Sequence, residues 1–200
     1  MSYRGPKVKK SRRLGVPLTR KASAVMVKKP YGPGQHGQRR RRGMSSDYSK
    51  QLLEKQRLRF QFDISEKKLR RYFKEAKSTK GNTAENLIQT LECRLDNFIF
   101  RAGLCNSIYQ AKQVVSHGHV EVNGKKVDKR SFHIKLTDIV TIKEKSKTLS
   151  MFKASLNEAT IPNYIETDRD NYTVRFIAKP NREDIPVICD VQQVVEFYSR

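Results

Sequence analysis

The chain has 200 residues, enough for one or two domains, and carries 42 Lys and Arg against 20 Asp and Glu, a formal net charge of +22. Such a charge repels itself in a compact chain unless a polyanion neutralises it, which points to nucleic acid, with an anionic lipid surface as the other option. The mean hydropathy of −0.73, the lack of any apolar run of about 18 residues and the lack of a signal-peptide apolar core in residues 1–30 lead us to expect a soluble chain that is not Sec-exported.

Cys93, Cys105 and Cys189 are odd in number and contain no CxxC pair. They fit neither a disulfide framework nor a zinc site and read as buried reduced thiols of a cytoplasmic-type compartment. No transit peptide is evident, which favours a bacterial or organelle-encoded product acting in the cytoplasm or the organelle interior.

The charge is polarised. Residues 1–50 hold 15 Lys and Arg against Asp47 alone, the next two quarters net +4 and +6, and residues 151–200 net −2. From Met1 to Gly43 the chain mixes Gly, Pro, Ser and basic residues without an apolar period, through Tyr31-Gly32-Pro33-Gly34-Gln35-His36-Gly37 and on to Arg39-Arg40-Arg41-Arg42. Such a segment predicts an extended basic arm that orders on phosphate, or else a solvated tail.

Helices follow. Ser46 can cap a helix over Asp47–Phe60, and Ser65 a second whose Leu69, Tyr72, Phe73 and Ala76 recur at helical spacing. Asn82 with Glu85 starts a third, whose stripe of Leu87, Ile88, Leu91, Leu95 and Phe98 runs as one helix to a stop at Gly103. Ser107 with Gln110 starts a fourth, ending at Gly118. The alternating residues around Asn123-Gly124 predict a hairpin, and Ile139–Ile142 another strand. Beyond Lys147 the pattern reads as a helix to about Ala159, a strand near Tyr172–Ile177 and a last helix containing Val191, Val194, Val195 and Tyr198.

Three stretches carry a resemblance: Leu91-Glu92-Cys93-Arg94-Leu95-Asp96-Asn97-Phe98 through Arg101-Ala102-Gly103; Ser107 with Ala111 to Val120; and Val122-Asn123-Gly124-Lys125-Lys126-Val127. Together they resemble the S-four RNA-binding domain, two helices plus a hairpin. The flanking Pro33-Gly34-Gln35-His36-Gly37, Lys179-Pro180-Asn181-Arg182 and Val195-Glu196-Phe197-Tyr198-Ser199 extend the likeness to the S-four family of small-subunit ribosomal proteins. The resemblance implies an α+β fold: a helical domain interrupted by an inserted α/β RNA-binding domain of two helices plus antiparallel strands, preceded by the extended basic segment. The expected division is 1–44 for the basic extension, 45–90 plus 188–200 for the helical domain, and 91–187 for the RNA-binding domain.

In that family's module RNA is met around the paired helices and the hairpin base. The residues at those positions here are Arg94, Arg101, Ser107, Lys112 and Gln113, then His117, His119, Asn123, Lys125 and Lys126. Cations neutralise phosphate, while amides, hydroxyls and imidazoles can bond phosphate or ribose oxygens; a merely solvated face is the bland alternative. Where the family usually has a basic residue after the capping Ser, this chain has Ile108. Further contacts with ribosomal RNA are expected from Arg4, Lys7, Lys9, Lys10, Arg12 and Arg13, from Gln35 and His36, and from Lys55, Arg57, Lys68 and Arg71. The resemblance places Arg39, Arg40, Arg41 and Arg42 near incoming messenger RNA; a localisation signal is the alternative, and their loop context cannot support an amphipathic membrane helix.

Arg94-Leu95-Asp96 is also similar to the Arg-Leu-Asp of pseudouridine synthases, whose Asp is a nucleophile. Asn97-Phe98-Ile99-Phe100 follows it in place of a Gly- and Thr-rich continuation, and the length leaves little room for a catalytic domain. Asp96 is therefore read as a partner that orients a nearby cation, and no enzymatic activity is expected. His36, His117, His119 and His133 form no evident ligand constellation, and residues 1–50 hold no Cys for the zinc cluster of some family members. No metal or cofactor is expected.

The resemblance implies a structural protein that binds a junction in the 5′ domain of small-subunit ribosomal RNA early in assembly, touches ribosomal protein S-five, and helps maintain decoding accuracy. Rival readings are an RNA-modifying enzyme, a free-standing RNA-binding regulator, and a DNA-binding protein with a major-groove helix.

Overall fold

A computed structural model describes residues 3, 5–38, 46–152 and 161–200. These residues form two compact units, one of residues 1–74 with 187–200 and one of residues 75–186.

The first unit is helical. It contains α1 (Lys7–Leu14), α2 (Arg20–Lys28), α3 (Asp47–Gln61), most of α4 (Glu66–Ser78) and α9 (Val191–Ser199). The basic N-terminal segment is thus not extended throughout. Gly15, at φ +70°, ends α1, and the Thr19 hydroxyl caps α2 by accepting from the Ala22 N–H at 3.2 Å. Leu14, Val16 and Ala22 are buried. Helices of eight and nine residues are marginal alone, which is why their thin apolar content predicts no helix. Tertiary anchors hold them instead: the Arg57 Nε donates to the Leu14 carbonyl at 2.8 Å, and the Ser11 hydroxyl donates to Lys7 O and accepts from Leu18 N.

Ser46 caps α3 as expected, accepting from Ser49 N, and Ser65 does the same for α4 through Lys68 N. Helix α9 packs along α3, tied by Gln51 to Glu196 at 3.0 Å and by Glu54, which accepts from Asp190 N at 3.1 Å. The Tyr198 hydroxyl donates to Glu66 at 2.7 Å and its ring lies 5.0 Å from that of Phe73 on α4.

The second unit holds α5 (Thr83–Glu92), α6 (Leu95–Arg101), α7 (Ile108–Ser116), a one-turn α8 (Glu144–Lys147), and strands β1 (Val120–Val122), β2 (Lys125–Lys126), β3 (Ile139–Ile142), β4 (Ile165–Asp168) and β5 (Thr173–Phe176). The sheet is antiparallel in the order β2-β1-β3-β5-β4. Among the described residues the chain is therefore α+β, as expected. Asn123 and Gly124, at φ 50° and 74°, form the two-residue turn that a primed hairpin requires, pairing Val122 with Lys125. Val120, Val122, Val140, Ile142, Val174 and Phe176 meet Leu95, Phe98, Ile99, Val114 and Val115 from α6 and α7 in one core.

Two expectations are corrected. The single helix read from Asn82 to Gly103 is two, because Arg94 is extended (ψ 138°) and bridges to His133, while Leu95 N donates to Phe132 O and Ile134 N to Cys93 O, both at 2.8 Å. Pairing with a distant segment overrides helical continuity there. Strand β4 was not expected at all; its Ile165-Glu166-Thr167-Asp168 alternates only weakly in burial. The helix expected after Lys147 lies partly outside the described residues, since only 150–152 are described as helical beyond α8.

Candidate nucleic-acid interface

In the second unit the predicted contact residues separate into two kinds. Arg94 and Lys112, 2% and 6% exposed, belong to the interior. The Arg94 guanidinium grips Asp96 with two bonds, Nε to Oδ1 at 3.0 Å and Nη2 to Oδ2 at 2.5 Å, and the Lys112 ammonium stands 3.9 Å from the same carboxylate. Asp96 also accepts from Asn97 N at 3.0 Å. The expectation that Asp96 orients a cation holds. Arg101 is mostly enclosed as well: its Nη2 donates to Glu92 at 2.9 Å and its Nε at 3.2 Å, and Glu92 further accepts from the Asn97 amide and, at 3.3 Å, from the Tyr164 hydroxyl. Burial foremost, then the Glu92 charge, pushes the Tyr164 hydroxyl well above the ordinary tyrosine range. Ser107 caps α7. Arg94 and Lys112 thus belong to the interior of the module, while Arg101 and Ser107, both partly exposed, have their polar groups committed within it.

The others face outward. Gln113, His117, Lys125 and Lys126 are exposed, at the end of α7 and on the hairpin strand beside it. The Lys126 stem lies over Gly118, and the His117 and His119 rings are 6.0 Å apart. His119 is half-buried, with Nδ1 2.9 Å from the Ser146 hydroxyl. Asn123 braces the turn, donating to Asp138 and accepting from Ile139 N, each at 2.9 Å.

The first unit carries its own basic feature, a cleft of about 920 Å³ whose wall includes Lys9, Lys10, Arg12, Arg13, Arg57 and His36 and, among the described residues, no carboxylate. Part of this charge is already engaged. Arg12 donates to Tyr31 O at 3.1 Å and Gly32 O at 3.0 Å and lies 5.0 Å from the Tyr31 ring centroid, clamping the Gly-rich turn onto α1. That turn is close-packed: a β-carbon on Gly37 would fall 2.0 Å from Gly32 O. Arg57 also pairs with Glu54 at 2.6 Å. Lys9 and Arg13 are exposed, as are Gln35 and His36. Lys7 is half-buried, and burial lowers its pKa against the raising effect of Asp63. Lys55 is buried against Glu66 at 3.1 Å, its ammonium 4.6 Å from the Phe197 ring centroid. Lys68 and Arg71 sit on the exposed face of α4. Arg4 and Arg39 to Arg42 lie outside the described residues.

Sequence reasoning missed Glu92 as a hub. Its only signal was a carboxylate inside the stripe Leu87, Ile88, Leu91, Leu95, and reading one unbroken helix there hid its convergence with Arg101. Among the described residues, no three His, Cys, Asp or Glu side chains gather to hold a metal ion, and no helix is long and apolar enough to cross a membrane.

Residues 2–92 match the model for the ribosomal protein S4/S9 N-terminal domain, and residues 93–140 match that for the S4 domain. The small ribosomal subunit protein uS4 of Streptomyces avermitilis is 47% identical over 98% of this chain and 97% of its own length. That of Thermobifida fusca is 45% identical over the whole of both chains. The chain belongs to the uS4 family of ribosomal proteins. Members of the uS4 family are structural ribosomal proteins, and this chain is accordingly not an enzyme. Within the uS4 frame, the exposed hairpin and α7 residues lie in or beside the segment matched as the S4 domain, and the carboxylate-free cleft lies in the segment matched as the S4/S9 N-terminal domain.

Proposed function

We propose that the chain is a structural, RNA-binding component of the small ribosomal subunit, acting on the ribosome as a primary binder of small-subunit ribosomal RNA. The observation that carries this is the coexistence of uS4 family membership with basic surfaces in both units, the Lys125–Lys126 hairpin and the carboxylate-free cleft around α1. Phosphates would meet Lys9, Arg13, Lys125 and Lys126; Gln113, Gln35 and the imidazoles of His36 and His117 would bond phosphate or ribose oxygens.

At finer grain, the protein nucleates assembly of the 5′ domain by holding a multi-helix junction in its folded form, with a stabilisation equal to its differential affinity for that form. It touches ribosomal protein S-five, supports translational accuracy, and meets messenger RNA at the subunit entrance through Arg39 to Arg42. The proposed division is a basic N-terminal extension, a helical domain closed by α9, and an inserted RNA-binding domain. The test is binding of a 5′-domain transcript by the full chain, together with co-sedimentation with small subunits on sucrose gradients at low and high salt. Retention with small subunits and salt-dependent transcript binding are expected; a protein that stays at the top of the gradient and ignores the transcript overturns the proposal.

A further inference from the structure

The second unit contains a further cleft of about 610 Å³, lined by none of the hairpin and α7 residues described above and within the roughly 300–1,000 Å³ of small-ligand sites. One wall is the polar face of α5 and its C-cap, where Asn86, Gln89, Thr90 and the capping Cys93 recur at helical spacing. The second is the segment from His133 to Leu136, and the third is Lys179 with Pro180.

These walls are fixed by hydrogen bonds to backbone carbonyls. Ile134 N donates to Cys93 O, the Gln89 amide nitrogen donates to Pro180 O at 3.1 Å, and the Asn86 amide donates to Thr79 O and Lys80 O at 3.3 Å each. A site held this way loses little entropy when a ligand enters.

Its chemistry is two-sided. Lys80, Lys135 and Lys179 are exposed at the cleft, no carboxylate residue lines it, and none of the three ammonium groups pairs with a carboxylate among the described residues, although the Lys135 backbone N–H donates to Asp138 at 2.8 Å. Between them lie apolar groups, the exposed Leu136 (41%) at the rim and the buried Pro180 in the floor. Gln89 supplies an amide whose oxygen has no partner among the described residues. Cations alone would suit any anion. Cations around a concave apolar floor with a free amide acceptor suit something flat, with hydrogen-bonding edges and flanking negative charge. A duplex backbone is convex and cannot enter, whereas an unstacked nucleotide can.

We propose that this cleft holds a single unstacked nucleotide of the bound RNA, its base against Leu136, its edge on the Gln89 amide, and its flanking phosphates on Lys80, Lys135 and Lys179. The assignment rests on the RNA-binding reading above and adds to it a third contact surface, one that reads a base.

The test is titration of the isotope-labelled full chain with short homopolymers of A, C and U, with inorganic phosphate and with an oligoglutamate peptide as separate probes. Expected are amide shifts at Gln89, Thr90 and Lys135 with at least one homopolymer, an affinity falling about tenfold in Lys80→Gln/Lys135→Gln/Lys179→Gln as phosphate contacts are lost, and an altered ranking of the homopolymers in Gln89→Ala. Equal shifts with inorganic phosphate would make the cleft a plain anion site. Stronger shifts with the peptide would make it a protein-docking site. No shift with any probe would leave it vacant; each of these three outcomes overturns the proposal. Binding of the 5′-domain transcript, measured on the same samples, separates the two readings. If the transcript binds and the cleft is silent, only the nucleotide pocket fails; if the transcript does not bind, the ribosomal reading fails.

Discussion

Lys126 lies over Gly118, so closely that a β-carbon built on Gly118 would fall 2.5 Å from the lysine Cε. Gly118 stands at φ +72°, directly after α7, and turns the chain into β1. The same glycine therefore ends a helix and clears the path by which a hairpin lysine reaches the His117 side of the module.

Gly118→Ala should act on both links. Placing an L-residue in the left-handed region costs about 1–2 kcal/mol, which urea unfolding would read as a lowered midpoint at unchanged slope. The flexible lysine can move aside, so RNA affinity should fall beyond what the loss of folded protein explains. Unchanged affinity at full folding would detach Lys126 from the RNA surface.

Arg94 and Asp96 should behave as a unit. Removing the cation in Arg94→Met leaves a carboxylate that is fully enclosed, with the Asn97 N–H and the more distant Lys112 to offset it; breaking one partner of such a pair costs about 3–5 kcal/mol. The double variant Arg94→Met/Asp96→Leu should recover a good part of that loss. A double-mutant cycle by chemical denaturation measures the coupling, and additive losses would refute it.

How far the sequence foretold these features depended on where each element's stability comes from. The caps at Ser46, Asn82 and Ser107 and the Asn123-Gly124 turn are local devices, each completed within a few residues, and all appear where expected. The break at Arg94 and the helices α1 and α2 depend on partners far along the chain, such as His133 for the first and Arg57 for the second, and no local pattern announces them. The same holds for the surface. Residue type marked Arg94 and Lys112 as cations for RNA as readily as Lys125 and Lys126, but only the fold places the first pair around a buried carboxylate and the second in solvent.

Cys105 gives a pH signature. Burial pushes its thiol from 9.0 up to about 12, while an unfolded thiol ionises near its ordinary value. Between about pH 9 and 12 the unfolded state therefore binds fewer protons than the folded one, so this contribution is complete below pH 9 and is lost as pH rises, by up to about 1.4 kcal/mol per pH unit. Tyr164 and Tyr198, both raised chiefly by burial, add to the loss only above about pH 10. Stability measured from pH 8 to 10 should fall less steeply in Cys105→Ala than in the parent; identical slopes would mean the thiol is hydrated.

The salt dependence of RNA binding should divide the module's cations into two groups. Each phosphate contact removed from a duplex-like RNA lowers the slope of log K against log salt by roughly 0.9. Lys125→Gln/Lys126→Gln removes two exposed charges from the hairpin and leaves its register, set by Asn123 and Gly124, intact. Its binding line should be shallower by up to about 1.8, with the folded state as stable as before. Arg101→Gln removes a guanidinium already committed to Glu92, so it should lower stability and leave the slope nearly parallel to the parent. Arg169→Gln/Arg175→Gln, two exposed arginines on the β4–β5 side of the sheet, serves as the control and should change neither by much. Filter binding of a 5′-domain transcript across a salt series reads all three lines. If the control variant flattens the line more than the hairpin variant does, the RNA-facing surface is the β4–β5 edge, and the placement of RNA on α7 and the hairpin is wrong.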